Sequence, residues 1–192
     1  HPEMPKGVED GIRKGAYLFR KGKRGKSPLV QLMGSGTILR EVIAAADLLE
    51  KDFGVQSDIW SILGVNELHR DGVATDRYNL THPEQKQRVS YLTQAMEGHE
   101  GPVVISTDYI RAYPEQIRRL IPNPKVTILG TDGFGRSDFR EALRTFFEVD
   151  RYYIAIAALK GLADEGTIAV KKVSEAIKKY GIDVDKPDPL LS

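Results

Sequence analysis

Residues 126–141 constrain this chain more than any other stretch. Val126-Thr127-Ile128-Leu129 is an apolar run, Gly130 to Asp138 is a glycine-rich loop, and Phe139-Arg140-Glu141 begins a helical pattern. A buried strand feeding a loop and then a helix is the joint from which α/β folds are assembled. Gly130, Gly133 and Gly135 are predicted to take the backbone angles with φ > 0 that other residues avoid. Ser137 or Asp138 is predicted to cap the following helix, and Asp138 with Glu141 has capping-box spacing. Asp132, Arg136 and Asp138 predict a positioned ionic cluster. A well-capped structural loop fits the same residues.

The rest of the chain repeats that joint. Extended segments are predicted at Ala16 to Arg20 and Leu29 to Met33, joined as a hairpin-like pair by the basic turn Lys21 to Ser27. Leu39, Val42, Ile43, Ala46 and Leu49 give a helix over 37–53 an apolar stripe, and Gly54 ends it. A strand through Ile59 to Ile62 precedes a short helix starting near Asn66. Asp71-Gly72 and His82-Pro83 predict an irregular region over 70–87. A helix near 89–96 and a strand at Val103 to Ile105 follow. Pro114 predicts a break near Tyr113 in the segment Tyr109 to Ile121.

Three helices are predicted to close the chain, at 138–146, 151–162 and 167–180. Val170, Val173, Ile177 and Tyr180 form the apolar face of the last. Strands alternating with helices imply a three-layer α/β domain. Its sheet is mostly parallel and five-stranded, with one antiparallel edge strand. Residues 1–10 read as a linker from a preceding domain, and 11–192 as the α/β domain.

Composition narrows the function. The formal net charge is +1, which argues against a nucleic-acid partner. Zero cysteines removes disulfides, thiolate nucleophiles and thiolate metal ligands. No apolar run reaches the roughly 20 residues needed to span a bilayer, so a membrane role is not expected and a cytoplasmic location is. Arg13, Lys14, Arg20, Lys21, Lys23, Arg24 and Lys26 occur with no acid between them. That strip reads as a solvated surface or as a docking site for an acidic partner.

Other candidate sites are weaker. Gly34-Ser35-Gly36 between a strand and a helix is a candidate anion turn. Leu39 stands where a dinucleotide fingerprint needs its third small residue. His1, His69, His82 and His99 form no paired zinc motif. Glu67-Leu68-His69-Arg70-Asp71 reads as a ligand-facing cluster or as a helix end with local ion pairs. Ser106 lacks the glycines of a nucleophile elbow, and Thr107 and Asp108 read as caps. Tyr152 and Tyr153 suit a subunit interface or the core.

Four separated segments, VQLMGSGTILRE (30–41), STDYIRAYPEQIRRLIP (106–122), TDGFGRSDFRE (131–141) and FEVDRYYIAIAAL (147–159), resemble the C-terminal domain of the homodimeric pyruvate dehydrogenases. The resemblance runs over essentially the whole chain. These are the thiamine-dependent decarboxylating components of the pyruvate dehydrogenase complex, related to transketolase. It implies that this is the third of three α/β domains, partnered by the preceding domains, a second subunit and the dihydrolipoyl acyltransferase component. It also implies thiamine diphosphate and magnesium in the parent enzyme, held between the first and middle domains, with no cofactor in this segment. The cofactor site of that family needs Gly-Asp-Gly and a downstream Asn. Thr131-Asp132-Gly133 and Arg70-Asp71-Gly72 approach it, and neither has the Asn. No catalytic, cofactor or metal residue is therefore carried over. The loop Asp132, Gly133, Phe134, Gly135, Arg136, Ser137 and Asp138 stands as a candidate interface or junction.

Overall fold

The computed structural model describes residues 3–192. Its elements are α1 (Glu9–Lys14), β1 (Ala16–Arg20), β2 (Leu29–Ser35), α2 (Leu39–Phe53), β3 (Gln56–Ile62), α3 (Val65–Thr81), α4 (Tyr91–Ala95), β4 (Val103–Ser106), α5 (Ala112–Glu115), β5 (Val126–Leu129), α6 (Arg140–Phe146), α7 (Arg151–Asp164) and α8 (Lys171–Lys179). The strands form one sheet in the order β1-β3-β2-β4-β5. β3, β2, β4 and β5 are parallel, and β1 runs antiparallel at the edge with Ala16 opposite Ile62. The α/β fold, five strands and single antiparallel edge agree with the expectation from sequence.

The two faces of the sheet carry two cores, as strand alternation requires. Leu32 and Val104 point toward α2, α7 and α8, and Met33, Trp60 and Ile105 toward α3 and α4. β2 and β3 are buried on both faces because helices cover both. α7 presents Ile154, Ala155, Ala158, Leu159 and Leu162 to the interior, and its small residues let it pack closely on α2. Asp150 starts it by accepting hydrogen bonds from the Tyr152 and Tyr153 amides at 3.0 and 3.1 Å.

Several local expectations fail for identifiable reasons. β1 and β2 do not pair as a hairpin; the basic loop between them crosses the start of β3, which then separates the two strands. Asp71-Gly72 is not a turn: α3 continues to Thr81, and a Cβ at Gly72 would stand 2.7 Å from Leu120 Cδ2. That glycine serves a close helix contact. Pro114 falls in the first turn of α5, the one helical place where its missing N–H costs nothing, and the segment 109–121 is not one continuous helix, since helix starts only at Ala112. Val170 lies outside α8 and is exposed, so it is not part of the apolar face. Of the linker expected over residues 1–10, His1 and Pro2 lie outside the described residues, and Glu9 and Asp10 already belong to α1.

Candidate functional site

The chain leaves β2 toward one side of the sheet and β4 toward the other, so the crevice at their carboxyl ends is the topological switch point where open α/β sheets take ligands. The loops after the parallel strands converge there. Gly34 is the next-to-last residue of β2, and a Cβ on it would stand 2.8 Å from the Leu39 Cα, so the glycine lets α2 begin directly above the sheet. The candidate anion turn Gly34-Ser35-Gly36 faces a carboxylate from its own chain. Thr37 Oγ1 donates to Asp108 Oδ2 at 3.4 Å, and the other Asp108 oxygen lies beside Gly36. The position an external anion would take at the start of α2 is thus served by Asp108.

The loop after β5 is stitched to the loop after β4. Thr131 donates its amide to the Tyr109 carbonyl and its hydroxyl to the Asp108 carbonyl, both at 2.9 Å. Asp132 pairs with Arg111 through the guanidinium and the backbone amide. Arg136 stacks over the Phe146 ring at 4.2 Å. Asp138 accepts only from the neighbouring Phe139 amide, at 2.7 Å. The ionic cluster of Asp132, Arg136 and Asp138 therefore does not form: its members turn to three different partners. Neither Ser137 nor Asp138 caps α6, whose N-cap is Phe139 without a side-chain bond. Of the three loop glycines only Gly133 has positive φ, at 93°. Gly130 instead permits close approach to the Tyr109 carbonyl, and Gly135 meets nothing.

What the loop presents outward is apolar and cationic. Phe134 is 81% exposed and Phe139 69% exposed. Leu63 after β3, and Tyr109 and Ile110 after β4, are exposed at the same edge. A cavity of about 510 Å³ lies among Thr37, Asp108, Thr131, Arg136, Arg140 and Arg144. Arg144 pairs with the buried Glu41 of α2 at 2.9 Å, and Arg151 of α7 meets the same carboxylate at 2.9 Å. Burial alone would raise the Glu41 pKa; Arg151 and Arg144 outweigh it and hold the carboxyl below its ordinary value. Among the described residues, no carboxylate lies within ion-pair distance of Arg136 or Arg140.

Most of the remaining sequence candidates have structural partners, and Ser106, Lys21 and Lys26 are the exceptions among the described residues. In the basic strip, Arg13 and Lys14 meet Asp10, Arg20 meets Asp47, Lys23 meets Glu50 and Arg24 meets Asp58. Glu67 pairs with Arg70, His69 meets the Gln116 carbonyl, and Asp71 accepts the Tyr91 amide at 2.6 Å. Ser106 Oγ is buried without a partner and has no access to a substrate. Tyr152 is half exposed beside Tyr180, with ring centroids 5.2 Å apart. His1 lies outside the described residues.

Sequence reasoning missed a buried polar hub at the opposite end of the sheet. Asp58, with no exposure, accepts from Gly22 N at 2.8 Å, Gln31 Nε2 at 3.1 Å and both arms of Arg24, and contacts His99 Nδ1 at 2.7 Å. The one signal was a carboxylate beside the apolar run Ile59 to Ile62, in a strand without a solvent face.

The donor sets do not fit the cofactor that the resemblance implies for the parent enzyme. Asp132 is committed to Arg111 and Asp71 to the Tyr91 amide, so neither approximate Gly-Asp-Gly motif offers a free carboxylate for magnesium. Among the described residues no three His, Asp or Glu side chains converge as a metal site, and no helix is long and apolar enough to cross a membrane.

The family model for the transketolase-like TK C-terminal domain matches residues 15–150. The pyruvate dehydrogenase E1 component of Cupriavidus necator is 58% identical over 191 residues, which cover 99% of this chain and 21% of that protein. The corresponding protein of Pseudomonas aeruginosa is 55% identical over 189 residues, covering 98% of this chain and 21% of that one. The chain thus spans about a fifth of the length of these curated relatives. In three dimensions it is similar to transketolase from Pichia stipitis, with a TM-score of 0.55 and 16% identity over 86% of this chain and 20% of that one. That likeness concerns the fold alone.

Proposed function

This chain belongs to the transketolase-like TK C-terminal domain family, and on that premise we propose that it is the non-catalytic third domain of a thiamine-dependent, cytoplasmic pyruvate dehydrogenase. The parent enzyme, on this reading, decarboxylates pyruvate oxidatively and passes the acetyl unit to a lipoyl group of the acyltransferase component. Residues 11–192 form the domain, and the preceding residues lead to it from the rest of the enzyme. Its task is support: it packs against the preceding domains and helps hold two subunits together.

One observation carries the proposal. Three successive loops at the carboxyl edge each expose a large apolar side chain, and the last of them adds two unpaired arginines. A contiguous apolar surface with an arginine rim is what a protein interface requires. The polar groups at this edge are engaged with one another, Asp108 with Thr37 and Thr131 with the Asp108 carbonyl, and among the described residues no metal-binding set converges there. Asp108 at the start of α2 counts against the alternative of a regulatory domain that binds a small anion. The ion pairs of the basic strip count against an adaptor docking through residues 13–26.

Arg136 reads out this function. Its planar guanidinium can take a carboxylate with two parallel hydrogen bonds, which lysine cannot reproduce. In the full-length enzyme, Arg136→Ala is expected to weaken subunit assembly by about tenfold, as for an interface arginine, and to leave thiamine diphosphate affinity unchanged. Sedimentation velocity and cofactor titration on the same preparation check this. Intact assembly with lost cofactor affinity would contradict it.

A further inference from the structure

The last residues of the chain are largely exposed, yet they are fastened at two points, one at the end of α6 and one on the loop after β5. The first is Lys186. Its Nζ donates to the Phe146 carbonyl at 2.6 Å and the Thr145 carbonyl at 3.2 Å, and pairs with Glu148 at 3.1 Å. A lysine on the last carbonyls of α6 satisfies groups that a helix end leaves open. It also lies 5.4 Å from the Phe146 ring centroid, and Arg136 covers the same ring. The second point is Pro189, buried within a tail that is otherwise largely exposed. Its carbonyl oxygen presses on Gly133 where any Cβ would stand, and Leu190 Cα lies 3.3 Å from that same position. Asp188 turns the chain there by accepting the Leu190 amide at 2.9 Å, and its carbonyl accepts the Leu191 amide at 3.0 Å.

The fastening coincides with two left-handed positions. Gly133 has φ of 93°, which a glycine adopts without cost and which leaves room for the Pro189 carbonyl. Glu148 is the one non-glycine residue with positive φ among those described, at 61°, and it pairs with Lys186. A residue with a Cβ keeps such a conformation only when surrounding contacts overdetermine it.

We infer that the tail Lys186–Leu191 is part of the interaction surface. It locks the loop at 131–137 and adds Leu190 and Leu191 to the apolar ground of Phe134, while Arg136 and Arg140 form a cationic rim. The partner this surface fits is a protein face that combines apolar side chains with carboxylates, supplied by the second subunit of the parent enzyme. Leu191 is 84% exposed and Leu190 51% exposed, so the tail offers apolar area beyond what its own anchoring uses. The two rim arginines lack internal carboxylates and present charge for external ones. The inference rests on the carboxyl edge being a docking face, and two separate readouts keep the claims apart.

In the full-length enzyme, Lys186→Met keeps the apolar stem and removes the charged contacts. Amide hydrogen exchange over 131–139 is expected to accelerate about tenfold or more, while β4 and β5 keep their protection. Unchanged exchange in that loop would overturn the lock. The double variant Leu190→Ser with Leu191→Ser alters exposed side chains only, so folding is preserved. It is expected to weaken subunit assembly by about tenfold, measured by sedimentation. Arg136→Glu with Arg140→Glu should weaken assembly further and reduce its sensitivity to salt. Wild-type assembly in the leucine variant would remove the tail from the interface. Wild-type assembly in the arginine variant would overturn the acidic partner.

Discussion

Asp58→Ala is expected to lower the free energy of unfolding by about 3 kcal/mol, because it leaves buried partners of a carboxylate uncompensated. The Gln31 amide is fully buried and has one other acceptor, the Glu100 carbonyl, at 2.8 Å. The Gly22 amide would lose its acceptor, and the basic loop would lose its hold on the sheet. Arg24 is 40% exposed and can return to water, which keeps the cost below that of a fully enclosed pair. Urea unfolding of the two proteins measures the difference. A loss below about 1 kcal/mol would place this hub among surface ion pairs.

The same group sets a pH dependence. Burial alone would raise the Asp58 pKa, but Arg24, His99, the Gly22 amide and Gln31 outweigh it and lower it from 3.8 to about 2. A depressed carboxyl pKa contributes stability that is fully present above the unfolded value. That contribution is lost as pH falls through the folded one. Wild type should therefore lose stability faster than Asp58→Asn between about pH 4 and pH 2. Parallel curves through that window would show that the carboxylate is not the titrating support.

Glu41→Ala is the second large effect, also expected at about 3 kcal/mol. Glu41 is 4% exposed and binds Arg144 and Arg151 together, joining α2 to α6 and α7. α6 has no fully buried residue, and its apolar hold is the half-buried Leu143 and Phe146 with Phe147 at its C-cap packed on the core. Its polar ties include the Arg144–Glu41 pair, the Thr145–Asp150 hydrogen bond and the Lys186 cap. Hydrogen exchange should show α6 and the loop before it opening well ahead of β2 and β3. Uniform loss of protection would mean that Glu41 acts on the whole core rather than on the joint between α2, α6 and α7. Glu41→Gln keeps one acceptor oxygen and should recover part of the loss.

The architecture was legible because it depends on local pattern. The run at 126–129, the stripe Leu39, Val42, Ala46 and Leu49, and the stop at Gly54 each follow from short-range rules, and all appear where expected. Pairings across long sequence distance were not legible. Arg111 meets Asp132 from 21 residues away, Arg144 meets Glu41 from 103, and no periodicity announces either contact. Gly72 misled for the same reason. Its role is set by Leu120, 48 positions later, while its neighbour Asp71 imitates a turn. The β5 loop was correctly marked as unusual, but its charges were assigned to one another when their partners lie elsewhere. The role of the tail was not legible either, since Pro187 and Pro189 say only that it is not helical.

On the proposed function, this domain braces an enzyme whose carbon–carbon bond-breaking apparatus lies elsewhere in the parent. The direct measurement is calorimetric titration of the 192-residue chain with thiamine diphosphate and magnesium, followed by assay for carbon dioxide released from pyruvate. The expected result is no saturable heat and no carbon dioxide above the buffer rate. Micromolar binding of the cofactor, or turnover by this chain alone, would contradict it.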